Sequence, residues 1–140
     1  MTPSQQQKLL DDLHGEIARC ASLIDAPSDM LPGVAKSVDG TWISLGWHDA
    51  DDGGDEAGWY LSLMRNEDGH DWELAEVLAN SPDYLLYVLL DEMTAKLAKA
   101  DPKAGDQRIA WFAAQEALLG RLNPVWRDRT AARHAQALMT

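Results

Sequence analysis

The sequence predicts an α+β fold: a small antiparallel sheet of three to four strands, preceded by one helix and followed by three. Three observations lead there. Apolar residues recur at the helical period in residues 1–26 and again in 81–140. Between them, residues 34–78 alternate with a period of two and are punctuated by Asp39-Gly40, Gly53-Gly54 and Asp68-Gly69. The same middle stretch holds most of the acid: fourteen of the 23 acidic residues lie between Asp39 and Glu92, where Arg65 is the only base.

The first helix is expected to open at Ser4, which has capping-box spacing to Gln7. Leu9, Leu13, Ile17, Cys20 and Ile24 then form one buried face, and Pro27, Pro32 and Gly33 close the segment. In the meander, Trp42, Ser44, Gly46 and His48 alternate with Ile43, Leu45 and Trp47. Further on, Tyr60, Ser62 and Met64 alternate with Trp59, Leu61 and Leu63. Ser81-Pro82-Asp83 starts the second helix, with proline in the first turn and an acid at the positive end of the dipole. Leu86, Leu89, Leu90, Met93 and Leu97 make its stripe, which ends before Asp101-Pro102. A third helix shows Ile109, Phe112, Leu119 and Leu122 on one side. Asn123-Pro124 starts the last one, which carries Val125, Trp126 and Leu138. At 140 residues the chain is expected to be a single domain, 1–140.

Composition narrows the classes of function. The formal charge is −11, and an acidic surface repels nucleic acid and anionic membranes while attracting basic proteins. No stretch approaches the ~18 apolar residues of a membrane helix. The beginning of the chain has neither a basic region nor an apolar run, and Cys20 is the sole cysteine, so a reducing cytoplasm is the expected compartment. Cys20 lies on an apolar face and reads as core.

Catalytic and metal-ligating patterns are missing from the sequence. Asp49 to Tyr60 begins like a calcium loop, with Asp49 and Asp51 at ligand positions and Gly54 at the glycine position. Gly53 and Tyr60 then stand where oxygen ligands are required. His14, His48, His70 and His134 show no metal spacing. His48 beside Asp49, or His70 beside Asp71, could act as a general base, yet neither has a nucleophile near in sequence. Glu73/Glu76 and Asp91/Glu92 are acid pairs without a cleft signature. No catalytic residue, metal ligand or cofactor is therefore expected. A binding surface is expected instead, made of acids interleaved with aromatics: Trp47, Asp49, Asp51, Asp52, Asp55, Glu56, Trp59, Asp68, Asp71 and Trp72.

The second half carries a more specific pattern. Asp83-Tyr84-Leu85-Leu86-Tyr87 is followed by Asp91-Glu92-Met93-Thr94 and Ala98, then by Asp106-Gln107-Arg108 and Phe112. Gln115, Leu118-Leu119 and Leu122-Asn123-Pro124-Val125-Trp126 complete it. These runs, over roughly residues 81–130, resemble the immunity protein 63 family. Ile109 follows Arg108 where that family often has a second arginine. Members accompany polymorphic bacterial toxins and protect the producing cell. The resemblance thus implies a cognate toxin domain as partner, encoded beside this gene. The acidic half adds that the partner is basic, as a toxin acting on nucleic acid or nucleotides would be. The alternatives are a small histidine/carboxylate enzyme that reverses toxin damage, and an acidic adaptor or chaperone for a basic partner.

Overall fold

Thr2, not Ser4, opens the first helix. Its Oγ1 accepts from Gln5 N at 3.2 Å, while its own N–H donates to Gln5 Oε1 at 2.8 Å, which is a capping box two residues earlier than the sequence suggested. Pro3 follows at the first helical position, where its missing N–H costs nothing. The computed structural model describes residues 1–50, 56–100 and 107–139. In it α1 runs Pro3–Leu23, β1 Thr41–His48, β2 Gly58–Glu67, β3 His70–Leu78, α2 Asp83–Ala100, α3 Arg108–Leu122 and α4 Pro124–Leu138. A short 3-10 turn, Ser28–Met30, lies between α1 and β1. This is an α+β fold with a three-stranded antiparallel sheet in the order β1-β2-β3, one helix before it and three after.

The chain forms two compact units. The first comprises Met1–Ala18 and Leu31–Val88, and the second Arg19–Met30 and Leu89–Thr140, so α1 and α2 each contribute to both.

In the first unit, β2 is the central strand and is buried on both faces. Leu61 and Leu63 point to one side with Ile43 and Ala75, and Tyr60, Ser62 and Asn66 to the other with Trp42. The β2–β3 hairpin turns on Asp68 and Gly69, both with positive φ (52° and 80°), the backbone a two-residue primed turn demands. Leu63 pairs with Ala75 and Met64 with Glu73, so Leu74 is the extra residue of a β-bulge. Before β1, Asp39 adopts φ 53° and the chain is fastened to the turn end of the sheet. Asp39 N donates to Asn66 Oδ1 at 3.1 Å, and Asn66 N donates to the Gly40 carbonyl at 2.9 Å.

In the second unit, α1 ends in a left-handed closure. Asp25 has φ 54°, and Ala26 N reaches back to the Ala21 carbonyl at 2.9 Å, satisfying an otherwise orphaned acceptor before Pro27. Cys20 is buried, as a core residue should be. Asn123 caps α4, accepting from Val125 N and Trp126 N, with Pro124 at the first position.

The packed faces of α3 and α4 differ from the apolar stripes expected of them. Ile109 is 68% exposed, and Val125 and Leu138 also face solvent. The buried residues are Phe112, Gln115 and Leu119 on α3 and Trp126, Thr130 and His134 on α4, which repeat every three or four positions. Half of that seam is polar. It is tolerable because each polar group is bonded, as buried polar groups must be. Gln115 Nε2 donates to the Asp91 carbonyl (2.8 Å) and to Asp91 Oδ1 (3.0 Å). Thr130 Oγ1 donates to Asp91 Oδ1 at 2.7 Å, and Arg133 grips the same carboxylate with two bonds, 2.9 and 3.0 Å. His134 stacks flat on Phe112 at 3.8 Å between centroids, its Nδ1 2.8 Å from Glu116 Oε2.

Candidate functional site

Seven of the ten residues expected to form one acidic, aromatic surface are among the described residues, and these seven occupy different ends of the sheet. Trp47 is the last residue but one of β1 and Trp59 the second of β2. The two are paired across the strands, with rings meeting edge to face at 5.9 Å. Trp47 is 54% exposed, and its indole N–H donates to Asp49 Oδ1 at 3.0 Å, so the ring is held in place although solvent covers it. Trp59 is half-buried, and Asp49 and Glu56 are exposed beside the pair. Asp51, Asp52 and Asp55 lie outside the described residues.

Asp68, Asp71 and Trp72 stand at the other end, past the β2–β3 turn. Ten residues of β2 separate the two groups, about 30 Å at roughly 3.3 Å per residue. Trp72 is 57% exposed and neighbours His70, with ring centroids 6.4 Å apart. Asp71 is already engaged: Lys36 Nζ binds it at 2.6 Å and Asn66 Nδ2 donates to it at 2.8 Å. The Asn66 bond and then the Lys36 bond lower its pKa below the ordinary aspartate value. Asp68 supplies the left-handed turn residue. This end is therefore fastened by internal bonds, whereas the Trp47 end presents a fixed aromatic pair with carboxylates.

Of the strand tryptophans, Trp42 is buried and Lys36 lies over its ring at 5.8 Å. The His48 reading changes with the geometry. His48 does not pair with Asp49. Its Nε2 lies 4.0 Å from Glu76 Oε2, and its ring stands edge-on to Tyr60 at 5.0 Å. Tyr60 donates its hydroxyl to the Glu56 carbonyl at 2.6 Å, so the residue at the twelfth position of the calcium-like loop is turned to a structural bond. Among the described residues, no three His, Cys, Asp or Glu side chains gather as a metal site.

The sequence pairs Glu73 with Glu76, but not with Ser62. Glu73 and Glu76 meet at Ser62, whose Oγ lies 3.1 Å from Glu73 Oε1 and 3.4 Å from Glu76 Oε2. Partial burial, and next the bond and charge of Glu73, raise the pKa of Glu76, while His48 and Ser62 oppose the rise. Two carboxylates sharing a hydroxyl can hold a proton or accept a cationic side chain. Ser62 donates to carboxylates, the reverse of the serine–histidine bond that activates a nucleophile. The signal that could have found this cluster is the bulge, which no residue pattern announces.

The immunity protein 63 family matches residues 63–136, which is more than half of the chain. No curated protein and no solved structure matches. The matched span takes in β3 and the helices α2, α3 and α4, together with the Asp91 network. It leaves out Trp47, Asp49, Glu56 and Trp59. The chain belongs to the immunity protein 63 family.

Proposed function

We propose that this immunity protein neutralises a cognate toxin by stoichiometric binding, and that the Trp47–Trp59 end of the sheet is the anchor of the contact. The observation that carries this reading is Trp47. It is a large aromatic left in solvent yet fixed by Trp59 and Asp49, and it is flanked by acids. Tryptophan is enriched at the energetic centres of interfaces, and its rigidity lowers the entropy lost on binding. The carboxylates of Asp49 and Glu56, with Asp51, Asp52 and Asp55 between them in sequence, suit a basic partner and would steer its approach. A toxin acting on nucleic acid or nucleotides, in the cytoplasm, has such a basic cleft. The absence of the anchor from the family-matched span fits a division of labour in which the matched part carries the shared scaffold and the hairpin end carries partner choice.

Co-purification with the product of the neighbouring gene tests the reading. A one-to-one complex that silences the toxin only at equimolar dose is the expected result. Trp47→Ala should weaken that complex by about 2 kcal/mol or more, mainly through faster dissociation. Charge reversal at Asp51, Asp52 and Asp55 together should slow association at low salt. Silencing of a molar excess of toxin by a trace of this protein would instead demand turnover, and an enzyme that reverses the toxin's damage would replace the inhibitor.

A further inference from the structure

The first unit carries a groove of about 670 Å³ that the reading above does not use. Leu9 and Leu13 of α1, Leu61 of β2, and Ala79, Pro82 and Leu86 at and before the start of α2 wall it. Leu61, Leu13, Leu86 and Ala79 are buried at its base, while Leu9 and Pro82 are half-buried at its sides. Lys8, Asp12 and Glu16 stand along the α1 rim, and Lys8 is tied to Asp12 at 2.7 Å. Ala79 is shared with a smaller hollow of about 340 Å³ that Glu56, Trp59 and Leu78 line. The apolar groove therefore continues into the acidic, aromatic end of the sheet.

We propose that this groove docks an amphipathic cationic segment of the toxin domain, with apolar side chains against Leu9 and Pro82 and Lys or Arg side chains against Asp12, Glu16 and Glu56. It rests on the immunity reading and extends the interface beyond Trp47. The shape and lining suit an element laid lengthwise with spaced apolar anchors, the way grooves take up amphipathic helices. The charge selects the occupant. Asp12, Glu16 and Glu56 stand against Lys8 and the terminal amine of Met1, which lines both hollows, and the Lys8 ammonium already serves Asp12. A second copy of a chain of net charge −11 would set like charges against this rim, so self-association is disfavoured. An anionic membrane is disfavoured for the same reason.

The full chain in complex with the toxin domain provides the test. A photo-crosslinking benzoylphenylalanine replaces Leu9 in one sample and Gln5, which is exposed on the same wall, in another. Crosslinks to a toxin peptide that carries both apolar and basic residues are expected. Leu9→Trp, which occupies the groove, and Glu16→Lys should each raise Kd at least tenfold with the melting temperature little changed. Ser44→Lys, on the opposite face of β1–β2, should leave Kd unchanged and serves as the control. A folded Leu9→Trp variant with wild-type affinity and no crosslink overturns the groove while leaving the immunity reading intact. A crosslink to a second copy of this chain also overturns it. Failure of the unmodified protein to bind or silence the toxin overturns the immunity reading, and the groove with it.

Discussion

Glu73 and Glu76 lie on the same face of β3 although they are three positions apart, because the bulge at Leu74 resets the alternation. In an unbroken strand they would point to opposite faces. The bulge brings two carboxylates to one hydroxyl.

This pair sets a pH dependence. Glu76 has a raised pKa, chiefly from desolvation and then from Glu73, so the folded state holds the proton more tightly than the unfolded state. Its contribution to stability is complete below the ordinary value of 4.5 and is lost as pH rises through the raised value. Glu76→Gln keeps an acceptor for Ser62 and removes a charge. At about pH 7 it is expected to be more stable than the parent by roughly 0.2–1 kcal/mol, the scale of a cross-strand charge pair, and to show no gain at about pH 3.5. Urea melts at the two pH values measure it, and an equal loss at both would contradict the carboxylate coupling.

Asp91 organises the helical unit, and its partners are unequal. Asp91→Ala strips bonds from buried Gln115 and Thr130 and is expected to cost roughly 2–4 kcal/mol, from charged hydrogen bonds lost and a donor left unsatisfied. Arg133 is half-exposed, so Arg133→Ala should cost only about 0.2–1 kcal/mol despite its two bonds. Denaturant titration of both variants checks the ranking; equal losses would show that the ion pair, not the buried network, holds the helices.

Leu86 and Phe112 are both buried, and truncation of either to alanine should destabilise the fold by roughly 2–5 kcal/mol. Phe112→Ala also unstacks His134. A loss below about 0.5 kcal/mol, typical of surface sites, would contradict the core assignment.

The hairpin turn is open to a separate check. Gly69 has φ 80° and nothing lies near a Cβ built there, so the expected penalty for Gly69→Ala is purely conformational, about 1–2 kcal/mol. A neutral result in thermal melts would mean that the turn relaxes to another type.

Several features were legible in the sequence because their causes are local. The periodicity of Leu13, Ile17 and Cys20 marked α1's buried face, which Ile24 continues just past the helix while Leu9 is only half-buried; Asp68-Gly69 marked the turn, and Asn123-Pro124 the start of α4. The runs from Asp83 to Trp126 pointed to the family that the matched span establishes. Each depends on a few neighbouring residues whose backbone preference or spacing suffices.

Tertiary structure decided what depends on partners distant in sequence. Polar Gln115, Thr130 and His134 could be buried, and Ile109 and Val125 exposed, because Asp91, Glu116 and Phe112 supply bonds and stacking that apolar patterning does not register. The bulge at Leu74 moved Glu73 beside Glu76, and the length of β2 put Trp47 and Trp72 at opposite ends of what the sequence suggested was one surface. Charge and aromatic content are read from composition, but a surface exists only where strand register and chain direction bring those side chains together.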